Sequence, residues 1–393
     1  MRLMNMLTMQ EAMDQLGVSR STVDRWRKEK RLPSYKIGKE VYFDKTELAA
    51  WVKTFASADP FVRPAAASAG PLKVGFTAAA AQMWSPLLMR RLGLLESELR
   101  QHGGPVGVDV EWRRAENGMR LVQELVAGHV HIATFGDYAI SLCGVIGRLL
   151  PAFRAVLLAS DGKAADGKGF AIVVPPGLSV DYPSGLAELP ISTTSRSNAE
   201  YRIQSMLAAI GIENARLLYE PVERAMERLA ERSRIAAVLW EPYISIADYY
   251  RIGVPIGEWR GSGFTTGVVA DESWARSNGD LVEAYLRAHL KAHRMLRSEP
   301  STAARLLAEE TGHPVDAVRR AIANVRWDAA LYEADLQAFG RIDPHSPRGG
   351  ARPTGGAPAL RVDLRYLQEA VRRLRLPDIP AHPLPDAASA TLY

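Results

Sequence analysis

The sequence predicts a multidomain chain: a small α+β module at residues 1–55, then a much larger two-lobed α/β domain. Three observations carry that expectation. Eleven Lys and Arg residues stand against seven acids in residues 1–56, a net +4, whereas the whole 393-residue chain reaches only +5. The stretch "FASADPFVRPAAASAGP" (55–71) is rich in Ala, Ser and Pro and lacks apolar periodicity, as a linker does. Beyond it, the order strand–helix–strand–helix–strand is written twice, at 72–140 and at 190–242. That alternation implies parallel or mixed sheets covered by helices on both faces.

The basic module comes first. Thr8 and Glu11 have capping-box spacing and open a helix over "MQEAMDQLG", which Gly17 ends. Ser19 is placed to cap "RSTVDRWRKEK", and two short helices joined by a Gly-containing turn make a helix-turn-helix. "SYKIGKEVYFD" alternates around Gly38-Lys39 as a hairpin does, and Asp44 caps a last helix, "KTELAAWVKTF". Helix, turn, helix, wing and helix together suit groove reading. Ser19, Ser21 and Thr22 at a helix N-terminus can donate to phosphate, and Arg20, Arg25 and Arg27 line the same helix. Arg20 and Arg25 are placed for base edges, and Lys36 and Lys39 on the wing for the backbone or minor groove. Trp26 reads as core. Residues 7–54 resemble the excisionase/MerR-like DNA-binding family, which implies a DNA operator as partner. One such module covers a short half-site, so a homodimer is expected.

In the large domain, "PLKVGFTA", "VGVDVEWRRA" and "VHIATFGDY" read as strands, with helices "SPLLMRRLGLLESELRQHG" and "NGMRLVQELVAGH" between them. Strands "FRAVLLASD" and "GFAIVVPPG" follow, and "GKAADGKG" reads as a loop. The second pass has strands "LPISTT", "NARLLYE" and "IAAVLWEP" with helices "SNAEYRIQSMLAAIG" and "VERAMERLAERS". Amphipathic helices "PSTAARLLAEETG" and "PVDAVRRAIANV" come next, with caps expected at Ser301 and near Pro314. Residues 342–363 are Gly/Pro-dense and irregular, 364–374 helical, and the Pro-rich tail 381–393 is expected to wrap the surface or fray.

Ligands of open α/β sheets sit at the carboxyl ends of the strands. Those ends carry Thr77 with Gln82 and Trp84, then Gly136, Asp137 and Tyr138, then Thr194, Ser195, Ser197 and Asn198, and lastly Trp240 and Glu241. Hydroxyls ahead of a helix favour an anion, whereas Asp137 and Glu241 suit a cationic group. A sulfonate-like anion and a zwitterionic or heterocyclic metabolite stacked on Trp84, Tyr138 or Trp240 therefore both fit. Four stretches, "LKVGFT", "NGMRLVQELVAGHVHIATFGDYA", "ISTTSRSNAEYRIQSMLAAIGI" and "ERLAERSRIAAVLWEPYIS", resemble in their order the substrate-binding proteins of nitrate/sulfonate/taurine and thiamine-precursor uptake. The resemblance spans about 72–380 and implies a type II periplasmic-binding-protein fold. It places lobe one at about 72–165 and 262–380, lobe two at about 168–258, and a small-molecule ligand between them.

Several classes are disfavoured. A single cysteine, Cys143 in the apolar, helical "AISLCGVIG", allows no disulfide and no cysteine cluster. No P-loop, dinucleotide fingerprint or Ser-His-Asp pattern occurs. His129 and His131, two apart at a strand start, would point the same way; His289 and His293, four apart on a helix, read as a solvent or interface face. No metal, cofactor or catalytic residue is expected. The N-terminus lacks a signal-peptide core and no apolar run approaches the roughly 18 residues of a membrane span, so a cytoplasmic protein without a membrane partner is expected. The combination predicts a one-component, ligand-responsive transcriptional regulator. The alternative is a cytoplasmic enzyme or ligand carrier on the same fold, desulfinase-like or pyrimidine-precursor-related.

Overall fold

The computed structural model describes residues 6–16, 18, 20–29, 32–37, 40–48, 51, 70–101, 108–150, 152–164, 168–257, 264–342, 360–385 and 391–393, with backbone alone at 21, 22, 25, 29 and 37. Contacts divide the chain into two units, Met1–Ala65 and Ala66–Tyr393.

In the first unit, strand β1 (Met6–Thr8) leads into helix α1 (Met9–Leu16) through the expected capping box: the Glu11 carboxylate accepts from Thr8 N–H at 2.8 Å, and Thr8 Oγ1 accepts from Glu11 N–H at 3.2 Å. Helix α2 (Arg20–Glu29) follows the turn. Strands β2 (Tyr35–Ile37) and β3 (Glu40–Asp44) form the hairpin, and Asp44 caps α3 (45–48) by accepting from Thr46 and Glu47 N–H. Strand β1 was not legible in the sequence. It pairs antiparallel with β3, giving the order β1-β3-β2. Ala12, Val23, Phe43 and Leu48 fill a small core, with Trp26 and Trp51 packed at its edge, ring centroids 5.7 Å apart.

The second unit is built on two sheets with one internal plan. Strands β4 (Leu72–Phe76), β5 (Val110–Arg114) and β6 (Ile132–Gly136) run parallel in the order β5-β4-β6. Helices α4 (Ser85–Leu92), α5 (Leu94–Gln101), α6 (Gly118–Val126) and α7 (Asp137–Leu149) accompany them. One helix was expected over 85–103, but Gly93 at φ 60° ends α4 in the left-handed region and α5 starts afresh. The chain then lays down β7 (Ala155–Ala164) and crosses to the second sheet with β8 (Phe170–Val174). Gly162, Lys163 and Ala164 belong to β7, paired with β14 (Val325–Trp327), so part of the expected "GKAADGKG" loop is strand; residues 165–167 lie outside the described ones.

In the second sheet β9 (Ile191–Thr193), α8 (Asn198–Ala209), β10 (Leu217–Tyr219), α9 (Val222–Ala230) and β11 (Ala236–Trp240) repeat the plan, in the order β10-β9-β11. Helix α10 (Tyr243–Tyr249) and edge strand β12 (Val254–Ile256) complete it. The chain returns as β13 (Thr265–Asp271), which lies antiparallel between β6 and β7. In both sheets the third strand of the parallel set is flanked by an antiparallel neighbour contributed after a crossing: β13 beside β6, and β8 beside β11.

Helices α11 (Glu272–Ser277), α12 (Gly279–Ser298), α13 (Pro300–Thr311), α14 (Val315–Ala323), α15 (Glu333–Arg341) and α16 (Arg365–Arg373) pack on the first sheet, and β15 (Arg361–Val362) pairs with β7. Helix α13 begins at Pro300 behind Glu299 rather than at a Ser301 cap, because proline suits the first helical position. Helix α12 is the spine of this core. It is enclosed by α4, α5, α16 and β14, and each fully buried large aliphatic on it contributes about 1.5–3 kcal/mol. That enclosure corrects one reading: His289 and His293 are fully buried, not a solvent or interface face. His129 and His131 also part company. His129 pairs with Glu124, whereas His131 stacks on Trp274, ring centroids 4.8 Å apart. The tail does not fray where described. Leu384 bridges to Tyr332, and Tyr393 is buried with its oxygen accepting from Ala329 N–H at 2.9 Å.

Candidate ligand cleft and nucleic-acid interface

Helix α2 presents Arg20 to solvent near Asp24. Arg27 is tied down, donating to Asp24 Oδ1 at 2.8 Å and to Ser34 Oγ at 3.0 Å, which fixes the end of α2 against the chain entering the wing. Lys36 is exposed on β2. Ser19 and Lys39 lie outside the described residues, and Ser21, Thr22 and Arg25 are described as backbone of α2.

In the large unit, the carboxyl ends of β6 and β11 each meet the opposite lobe. At the end of β6, Asp137 is fully buried and accepts from Arg202 Nη2 at 2.7 Å. Arg202 comes from α8, one turn beyond Asn198, and its guanidinium lies over the rings of Phe170 and Phe264 at 5.0 and 5.9 Å. Burial pushes the Asp137 carboxyl above the usual carboxylate range, with the Arg202 charge opposing the rise. Tyr138 N–H donates to Asn198 Oδ1 at 2.8 Å. The approach needs a glycine: a Cβ on Gly136 would stand 2.5 Å from Asn198 Nδ2 and 3.0 Å from Phe264.

At the end of β11, Trp240 Nε1–H donates to Ala79 O at 2.7 Å, and Glu241 O accepts from Ala81 N–H at 2.8 Å. The Glu241 carboxylate is buried and accepts from Asn324 Nδ2 at 2.8 Å and from the hydroxyl and N–H of Ser245. All these donors are neutral, and burial raises the Glu241 carboxyl above its ordinary range. The short 3₁₀ turn Ala81–Met83 carries Gln82, whose buried amide meets no hydrogen-bond partner at either nitrogen or oxygen.

The other candidates have defined local roles. Thr77 is buried; its hydroxyl donates to Glu116 O and accepts from Ala79 N–H. Trp84 is a core residue, fully buried, with its indole donating to Ala78 O. Ser197 caps α8 by accepting from Glu200 N–H and itself donates to Thr194 O, while the Thr194 hydroxyl donates to Glu220 O. Ser195 is exposed. The structure thus brings Gly136, Asp137 and Tyr138 together with Asn198, and Trp240 and Glu241 together with the turn that bears Gln82. Arg202, Phe170, Phe264 and Asn324 escaped the sequence reading. The four-residue spacing of Asn198 and Arg202 on one face of α8 was the signal that could have found Arg202. Cys143 is buried, and burial pushes its thiol up to about 12, away from the ionised form.

Residues 6–55 match the family model of a helix-turn-helix domain. The large unit is similar to solved substrate-binding proteins. The alkanesulfonate-binding protein SsuA of Xanthomonas axonopodis pv. citri bound to MOPS is 19% identical, at a TM-score of 0.57 over 70% of this chain and 91% of that one. The periplasmic nitrate-binding protein NrtA of Synechocystis PCC 6803 is 15% identical, at 0.61 over 79% and 91%. The periplasmic aliphatic sulphonate-binding protein SsuA of Escherichia coli is 16% identical, at 0.58 over 69% and 86%. A search of curated proteins finds no match. The chain therefore joins a helix-turn-helix domain to a two-lobed α/β unit of the periplasmic-binding-protein fold.

Proposed function

We propose that the protein is a cytoplasmic, one-component transcriptional regulator. Its helix-turn-helix domain binds a DNA operator as a homodimer, and the two-lobed unit binds a small molecule that changes operator affinity. The observation that carries this reading is the presence of both folds on one chain. The ligand sits among Gly136, Asp137, Tyr138, Asn198, Trp240 and Glu241, with the Gln82 amide and Arg202 supplying further polar contacts. A buried acid held only by neutral donors at one edge and an arginine at the other suit a small zwitterionic or heterocyclic metabolite bearing an anionic group such as a sulfonate. Ligand can shift operator binding only through its differential affinity for two arrangements of the protein, typically about 1–3 kcal/mol.

A gel shift on DNA upstream of the coding region tests this reading, with and without the small molecule that mass spectrometry finds co-purifying. The expected result is salt-dependent, sequence-selective binding that Arg25→Ala weakens and that the ligand shifts. Trp240→Ala should remove the ligand response and leave operator binding intact. Absence of a shift at any salt, or equal operator affinity with and without a ligand shown to bind the large unit, rejects it.

A further inference from the structure

Beneath the cleft-facing turn, the first lobe encloses a cluster that the proposed regulatory reading does not use. Asp161 on β7 and His289 and His293, one turn apart on α12, are all fully buried, and one donor atom from each lies within 4.8 Å of the others. The two imidazole rings stand 4.1 Å apart. Ser85, the first residue of α4, adds its hydroxyl at 2.8 Å from Asp161 Oδ2 and 3.1 Å from His289 Nδ1.

Main-chain oxygens fix how the rings are used. His289 Nε2 lies 2.9 Å from Ser160 O, and His293 Nδ1 lies 3.1 Å from Tyr393 O. A carbonyl only accepts, so each of those nitrogens carries its ring's proton. The remaining nitrogens, His289 Nδ1 and His293 Nε2, then present lone pairs inward. His293 Nε2 meets Asp161 Oδ1 at 2.8 Å, an acceptor against an acceptor. Such a contact repels unless a positive charge, either a proton shared by the pair or a metal ion, lies between the two atoms. Fixing one ring nitrogen through a main-chain oxygen so that the other faces inward is also the outer-shell arrangement of metal-ligating histidines.

We propose that Asp161, His289 and His293 form a structural site for a borderline divalent transition metal, zinc foremost, with the Ser85 hydroxyl at the fourth corner. Two imidazole nitrogens, a carboxylate and one hydroxyl make a donor set suited to zinc rather than to calcium or magnesium, which take oxygen-rich shells. Zinc–ligand bonds of about 2.0–2.1 Å in a tetrahedron set donor edges near 3.3 Å. Three of the donor separations, 2.8–3.1 Å, are a few tenths of an ångström short of that, while the ligand atoms of Asp161, His289 and His293 lie within 4.8 Å of one another, so any wider edge must close by side-chain torsion around the ion. The ion would cross-link β7, α12 and the start of α4, and so brace the helix that follows the Gln82 turn.

The test uses the full chain, stripped with a chelator and then titrated with cobalt(II) alone and with zinc(II) alone. The expected result is one ion per chain, the intense visible bands of four-coordinate cobalt, their loss on adding zinc, and a higher melting temperature with either ion. His293→Asn and Asp161→Asn should each weaken zinc affinity by more than roughly 100-fold, beyond what loss of an outer-shell partner costs. His129→Asn, away from the cluster, should change nothing. If a cluster variant does not fold, as judged by circular dichroism, the stoichiometry and cobalt spectrum of the unaltered chain decide. Substoichiometric uptake overturns the proposal. So do cobalt bands that survive His293→Asn in a folded chain, or a strongly deshielded proton between His293 and Asp161 that persists in excess zinc.

Discussion

The carboxyl ends of β6 and β11 hold equivalent places, each the third strand of a parallel set and each followed by a helix, yet they meet the opposite lobe by different chemistry. Both ends bury an acid. Asp137 has a full counter-charge in Arg202, delivered from the second lobe on a side chain. Glu241 has only amide and hydroxyl donors, and it is linked to the other lobe twice at 2.8 Å, by its main-chain oxygen to Ala81 N–H and by its carboxylate to the Asn324 amide. A side-chain ion pair can be exchanged for ligand groups of the same charge. A backbone bond cannot change its chemistry and serves better to set distance. The β6 edge is thus a charged contact and the β11 edge a neutral one.

The largest expected effect lies in breaking the charged edge. Asp137→Ala strands Arg202 in a buried setting and should destabilise the large unit by about 3–5 kcal/mol, read from urea unfolding followed by tryptophan fluorescence. Glu241→Gln should cost less, about 1–3 kcal/mol in the same assay, since its donors are neutral and the oxygen facing Asn324 is kept while the new amide NH2 opposes Ser245 N–H. Equal losses in the two variants would erase the distinction. Gly136→Ala comes next. Its new methyl would press on Asn198 and Phe264, so a loss of about 1–3 kcal/mol is expected, with a larger radius of gyration in small-angle scattering as the lobes part. An unchanged radius would mean that the side chains give way instead. Trp240→Phe removes the indole donor to Ala79 and part of the ring packed by Phe170 and Tyr243, and should lower stability by about 1–2 kcal/mol. The smallest effect concerns Cys143. With its thiol near 12, thiol reagents should leave it unmodified at neutral pH in the folded chain and label it fully in urea. Rapid labelling of the native protein would show that α7 opens.

Local pattern was enough for much of this. Thr8 and Glu11 announced their capping box, "NGMRLVQELVAGH" appears as a helix, and the two strand–helix passes appear as two parallel sets, because caps and periodicity act within a few residues. Strand β1 was invisible because three residues carry no period. The single-helix expectation over 85–103 missed that Gly93, an ordinary interruption in sequence, adopts the left-handed conformation. His289 and His293 looked like a surface pair because four-residue spacing describes one face of a helix and says nothing of what covers it.

By itself, then, the sequence determined the two-part organisation, the helix-turn-helix, the alternating strands and helices, and the strand ends where a ligand would be sought. These follow from composition, capping and periodicity, which are local. Only the tertiary structure decided that Asp137 takes Arg202 while Glu241 takes Asn324, that Trp84 belongs to the core, and that Asp161 meets two histidines from α12. Each of these joins residues more than sixty positions apart in sequence, and such pairs are chosen by how sheets and helices stack, not by the residues beside them.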